Sequence, residues 1–390
     1  MAERLRIIVL GYVVRGPLGG MAWHHLQYVQ GLARLGHDVW FVEDSDDYPC
    51  CYDPERQVTD GDPSFGLRFA ARELERIGLR DRWAYWDQHT GRWLGPHGAQ
   101  MADTCRAADV VVNLCGVNPL REWTQVAPVR ILVDGDPVFT QVRNLTDAWA
   151  RERTRRHNAF FTYGENFGRS GCLMPDDGFP WKPIRQPVVV EALAVSPPRP
   201  DGAFSTVMQW RSYAAREWAG VTYGQKSETF PEFLELPGRS GAPLLLAAAG
   251  VAEQRESLLA RGWRLTDAAA ATRDVPTYEA FLRGSKAEWS VAKQGYVVAR
   301  SGWFSERSCA YLAMGRPVVV QDTGLAGLFP LGEGVLTFGD CDEAVAALRE
   351  VNQRYAFHCH RARSWVEEHF DASRILSSML ERGASAAGSA

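Results

Sequence analysis

The chain has 390 residues, enough for two domains, and its 46% hydrophobic against 23% charged residues let each half bury a core. With 43 Lys and Arg against 47 Asp and Glu it carries a net charge of −4, which argues against a general nucleic-acid binder. No stretch is long and apolar enough to cross a membrane, and the charged start Met-Ala-Glu-Arg-Leu-Arg runs directly into an apolar strand, so a cytoplasmic protein without a leader is expected. The 8 cysteines lack Cys-x-x-Cys spacing and read as reduced, mostly buried thiols. His358-Cys359-His360 would point in different directions on a helix, so no metal centre and no cofactor is expected.

In chain order, Arg6-Ile-Ile-Val-Leu-Gly-Tyr is a buried strand, followed by a loop holding Arg15, Gly16, Pro17, Gly19 and Gly20. A helix runs from about Met21 to Leu35, Gly36-His37-Asp38 stops it, and Val39 to Val42 is the second strand. This βαβ opening lacks Gly-x-Gly-x-x-Gly, so a dinucleotide fingerprint is unsupported. Residues 44–63 form a long acidic loop in which Asp44-Ser-Asp46-Asp47 is solvated. Helices at about Ser64 to Ile77 and Ala99 to Ala107 flank a short strand at Trp83 to Trp86. The strand Asp109–Leu114 ends in Cys115-Gly-Val-Asn118, and Val129–Val133 ends in Asp134-Gly-Asp136-Pro. In open parallel sheets ligands bind beyond the carboxyl ends of strands, which puts Asn113, Asn118, Asp134 and Asp136 on a cleft. Asp134 or Asp136 could act as acid/base or hold acceptor hydroxyls, and turn chemistry explains Asp-Gly-Asp-Pro equally well. Phe139 to Arg151 is one helix, and Ala159 to Tyr163 is the last strand of this half.

A crossing rich in Pro and Gly follows, with a short strand at Val188 to Val190. The second half begins at the strand Ser205–Trp210, with Arg211 at its end and Lys226 at the start of a helix. Strands at Leu244–Ala248, Trp263–Leu265 and Ala287–Ala292 alternate with helices at 252–260 and 276–283. Lys293-Gln-Gly leads through Tyr296–Arg300 to Ser301-Gly302. There Ser305 is placed to cap a helix over 306–314, Gly315 stops it, and Val318-Val-Val320 is an interior strand. A helix opening on glycine and serine presents free N–H groups that suit a phosphate, and Arg307 would add a cation. A plain loop–helix–strand crossover fits the same residues. A strand at Val335–Phe338 and helices at 343–354, 355–369 and 372–382 complete the chain, and the last residues, Gly-Ala-Ser-Ala-Ala-Gly-Ser-Ala, are expected to be disordered.

Two strings carry a family resemblance. LAMGRPVVVQDTG, within SGWFSERSCAYLAMGRPVVVQDTG, resembles the carboxy-terminal signature of the GT-B glycosyltransferases, and of a bacterial group among them. LGGMAWHHLQYVQGLARLGHDVWFVED resembles their amino-terminal glycine-loop element. The resemblance implies an α/β GT-B fold, with two Rossmann-like doubly wound domains facing a cleft and a C-terminal helical tail. The implied bounds are an acceptor-binding domain over 1–180, a linker over 181–203, a nucleotide-sugar-binding domain over 204–354, and helices over 355–382 that cross back.

It also implies transfer of a sugar from a nucleotide-sugar donor, such as a UDP-sugar, to a small-molecule or glycan acceptor, with no metal. Arg211 and Lys226 match a cation pair that clamps the diphosphate. Gly19, Gly20, Lys293, Ser301, Gly302, Ser305 and Arg307 complete the implied donor site. Registered on Gly315 and Pro317, the family's two glutamates fall on Trp303 and Tyr311, which leaves Glu306 or Asp322 for the ribose. His24, with an ordinary imidazole pKa, is the implied base or acceptor contact. A nucleotide-sugar epimerase or hydrolase, and a non-catalytic nucleotide-sugar binder, share these features. A nucleic-acid glycosylating enzyme is disfavoured by the acidic balance.

Overall fold

The computed structural model describes residues 4–46 and 50–388, so Asp47 of the acidic loop lies outside the described residues, while Asp44 and Asp46, expected to be solvated, are buried against Arg121 and Arg153. The apolar run Arg6–Leu10 has no polar face, as a strand covered on both sides requires, and it sits inside an eight-stranded sheet. Across that sheet the strands are Lys182–Pro183, Ala159–Thr162, Val129–Asp134, Val110–Leu114, Arg6–Leu10, Asp38–Asp44, Trp83–Asp87 and Arg92–Leu94. All neighbours are parallel except the last pair. The second sheet is wholly parallel, in the order Arg264–Thr266, Leu244–Ala249, Phe204–Gln209, Ala287–Ser290, Val318–Gln321, Val335–Phe338. Each sheet is doubly wound about its first strand. Each therefore has a switch point where neighbouring loops leave in opposite directions and open a crevice.

The tail returns to the first sheet. Ala372–Ala387 packs on the helix Gly19–Arg34 and on the strands Val129–Asp134 and Ala159–Thr162. A Cβ on Gly31 would lie 2.5 Å from Leu376 Cδ1, so this helix crossing needs the glycine. Tyr355–Phe370 packs on Glu306–Ala313, and the Arg363 guanidinium donates to the carbonyls of Val190, Leu193 and Ala313. One apolar cluster runs through both halves, joining Ile7, Phe161, Tyr278, Tyr311 and Trp365.

Local structure departs from the sequence reading at several places. The long loop holds a hairpin, Cys51–Asp53 with Val58–Asp60, and a second hairpin pairs Arg216–Trp218 with Val221–Tyr223. The helix expected over 139–151 is two, Phe139–Thr146 and Ala148–Arg155, because the Asp147 side chain accepts from Trp149 and Ala150 N–H and restarts the turn as an N-cap. Val188–Val190 is not a strand but a single bridge, Val188 to Asp371, running into a 3-10 turn. The last helix continues to Ala387, since Gly383 packs against Ile131 and so anchors the segment expected to be disordered.

Candidate active site

The first crevice is organised by a buried anion. Glu43, fully buried at the end of Asp38–Asp44, accepts the backbone N–H groups of Val13, Val14 and Arg15 at 2.6, 2.7 and 2.8 Å and Arg15 Nε at 3.2 Å. Burial raises its pKa, opposed by Arg15 and those amides. Arg15 then crosses the switch point to Val117 O and Asn118 Oδ1. Asn118 donates to Gly11 O at 2.8 Å and accepts from Asp44 N at 2.9 Å. Asp134 accepts from Thr140, Gln141, Thr162 and the Asp136 amide, and burial raises its pKa. Asn118 and Asp134, read as acceptor ligands, thus have their polar atoms engaged by the loops they shape. Both still border a cavity of about 270 Å³ that also touches Tyr12, Cys115 and Arg143.

Asp136 closes the gap between the lobes. Its carboxylate accepts from Tyr213, from Tyr296 and, at 2.8 Å, from Lys293 Nζ, all three in the second half. The Lys293 ammonium lies 4.9, 4.5 and 5.4 Å from the rings of Phe139, Tyr213 and Tyr296, so aromatic faces share its charge. Two residues on, Val138 holds φ 75°, a conformation a β-branched side chain rarely adopts, and it is fully buried. Asp136 and Lys293, expected respectively as acid/base and donor ligand, hold each other.

In the second half Ser305 caps the helix Glu306–Ala313, accepting from Arg307 N at 3.2 Å, and Gly315 follows at φ 75°. Arg307 does not face a ligand as a bare cation. Its Nε is 2.6 Å from Glu288 and its Nη1 donates to Val207 O, under the sheet ends. Ser301 and Gly302 form the seam with the first lobe: the Asn166 amide donates to Ser301 O, and a Cβ on Gly302 would meet Asn166 at 3.0 Å. Asp322 accepts from Gly324 and Leu325 N–H and closes a turn. Gly19 donates to Thr272 O at 2.6 Å, and a Cβ there would strike Asp274 O, while Gly20 lies against the Tyr278 ring. The double glycine accordingly lets the two lobes touch.

Of the charged residues expected in the donor site, Lys226 and Glu306 have no side-chain hydrogen bond or ion pair among the described residues. Lys226 begins the short helix after the switch-point strand. Burial, aided by Arg307 and Lys293 and opposed by Glu306, lowers its pKa to about 7. The Glu306 carboxylate is near enough to bear on the charge of Lys226 and of His25, Cys115 and Tyr163 of the first lobe. Arg211 is exposed, 3.4 Å from Ser227 Oγ and 3.5 Å from Glu228.

His24 differs from expectation in its acidity. It is buried, its Nε2 is 2.8 Å from Tyr163 OH, and burial lowers its pKa to about 4, so it is neutral but weakly basic. Its ligand atoms lie within 4.8 Å of those of His25 and Cys115, and burial pushes that thiol up to about 12. Tyr311 is fully buried and bonds Ser205 Oγ at 2.7 Å, while Trp303 lies 4.5 Å from the Tyr296 ring. Glu43, Tyr163 and Tyr213 were not legible as site residues. Each is one residue in an ordinary local pattern, and only segments far apart in sequence give it partners.

No family model and no curated protein sequence matches the chain. Solved structures match over its whole length. An alpha-glucosyltransferase in complex with UDP and a 13-mer DNA containing a HMU base aligns with TM-score 0.59 and 9% identity, covering 98% of this chain and 100% of that one. HepE of Anabaena, in complex with UDP-glucose, gives 0.55 and 14%, covering 98% and 100%. AviGT4, a glycosyltransferase involved in Avilamycin A biosynthesis, gives 0.53 and 15%, covering 99% of each. The fold is GT-B, two Rossmann-like halves facing one another.

Proposed function

We propose that the protein is a glycosyltransferase that takes a sugar from a nucleoside diphosphate, UDP in the first instance, and passes it to an acceptor nucleophile held by the first lobe. The observation that carries this reading is Lys226, a half-buried ammonium at the second sheet's switch point that feels Glu306 and Glu288 but has no ion-pair partner among the described residues. A diphosphate there would meet Lys226 and the N-terminus of Glu306–Ala313, and the exposed Arg211 could swing onto it. These groups would stabilise the negative charge that develops as the sugar–phosphate bond breaks. Glu306, free and facing both lobes, would accept from sugar or ribose hydroxyls. The UDP complexes of the structural neighbours favour uridine as the base.

The cavity against the capped helix end, bordered by Ser290, Trp303 and Ser305, holds only about 10 Å³. The donor therefore lies outside it, toward Lys226, and enters when the Asp136–Lys293 contact opens. Calorimetric titration of UDP and UDP-glucose into the wild type and an Arg211→Ala/Lys226→Ala double variant tests the reading. Binding by the wild type and its loss in the double variant are expected; equal affinity defeats the assignment.

A further inference from the structure

The 270 Å³ cavity of the first lobe lies beyond the carboxyl ends of Val110–Leu114 and Val129–Asp134, and its guanidinium groups are unequally compensated. Arg15 is matched by Glu43. Arg153 gives Nη1 to Asp46 at 2.8 Å, but its Nη2 is buried without an acceptor. Arg143, on the helix that follows the Asp136 turn, has no carboxylate and no side-chain hydrogen bond among the described residues, and its Nε is buried.

The other polar groups of the wall are inward-directed. Asp134 has its four donors. His157, with its pKa lowered to about 4 by burial, is neutral, placing Nδ1 on Thr154 O and Nε2 on the Asn113 amide. Apolar Leu120 and Leu132 line the rest, and Trp149, 58% exposed, stands beside Arg153 with its ring 4.5 Å from the guanidinium.

We propose that this cavity binds a small acceptor through an anionic group, phosphoryl or carboxylate, seated on the guanidinium groups of Arg143 and Arg153 that line it. The word acceptor rests on the glycosyl-transfer reading; the anion site rests on the cavity and on the two guanidinium groups that line it, of which Arg143 has no carboxylate partner among the described residues. The volume suits a small molecule rather than a nucleic-acid strand. The cavity reaches the reaction cleft at Cys115, which lines it and also feels the Glu306 carboxylate. An anion anchored at Arg143 would leave the rest of the molecule directed toward that end. Anion recognition by a guanidinium pair would make the acceptor choice one of charge before shape.

The test uses the full chain saturated with UDP, so that Lys226 is covered. Inorganic phosphate and acetate are titrated separately, following the arginine Nε–H signals by nitrogen-15 NMR and the heat by calorimetry. Saturable binding of either anion is expected, with a shift of the Arg143 Nε–H signal. Arg143→Gln should weaken it about tenfold or more at unchanged melting temperature, and Arg143→Lys should retain part of it. Preference for phosphate or acetate assigns the anion. No saturable binding, or equal binding in Arg143→Gln, overturns the proposal. If UDP does not bind, the transferase reading fails by itself, and the phosphate titration repeated in Lys226→Ala still decides the anion site.

Discussion

At the strand ends of the first half, Glu43, Asn118 and Asp134 are each held by three or four donors and acceptors from their own lobe. At the corresponding ends of the second half, Lys226 and Glu306 have no side-chain hydrogen bond or ion pair among the described residues, and the space beside the helix cap is only about 10 Å³. The same doubly wound topology has thus produced an internally braced cavity on one side and two charged groups without ion-pair partners, among the described residues, on the other. The difference follows from side-chain length and burial. Short carboxylates and amides at buried strand ends find backbone partners within reach. The long Lys226 side chain, at the start of a short helix, has no such partner among the described residues. A braced crevice selects its ligand by shape and residual donors, whereas an unsatisfied one is completed by the ligand's own charge.

The contrast can be broken at its strongest point first. Glu43→Ala should destabilise the protein by about 3–5 kcal/mol, because it strands Arg15 and three buried amides, and denaturant unfolding measures this. Next is His24. Its folded pKa of about 4 lies below its ordinary 6.5, so the unfolded chain takes the proton first. Its contribution is intact above pH 6.5 and is lost as pH falls toward 4, by up to about 3 kcal/mol. Melting temperatures of wild type and His24→Gln between pH 7 and 4 should therefore converge as pH drops; parallel curves would remove the buried imidazole from the account.

On the other side of the comparison, Lys226→Ala should weaken UDP binding about 100-fold, the scale of a lost charge-assisted contact, with little change in melting. A smaller and sharper sign is protonic. With Lys226 near pKa 7 when unliganded, UDP should bind with proton uptake above that pH, and affinity should fall as pH rises from 7 to 9. Calorimetry in buffers of different ionisation enthalpy reads this, and Lys226→Arg should abolish it. Least of all, Arg211→Ala should shift stability by no more than about 0.5 kcal/mol in unfolding experiments, since the side chain is exposed and loosely bonded.

The capped helix and strand around Ser305, Gly315 and Val318–Val320 were readable because their signals are local: an N-cap hydroxyl, a left-handed glycine, a β-branched run. The hairpins and the break at Asp147 were less so, since their turn and capping signals lie within acidic or helix-compatible stretches. Site assignments suffered most where a residue type allowed two uses. Arg307 reads equally as a phosphate ligand or as the partner of Glu288, and 19 residues separate that pair. Asp136 and Lys293, 157 residues apart, could not be seen as partners at all.

By itself the sequence determined the alternation of apolar strands and amphipathic helices, hence two doubly wound halves, because strand and helix periodicity are written in neighbouring residues. Which charges are satisfied was decided only by the tertiary structure. Burial and partner distance depend on how sheets, loops and the returning tail are assembled, and those set whether Asp134 is a brace, Lys293 a clasp, or Lys226 a cation without an ion-pair partner among the described residues.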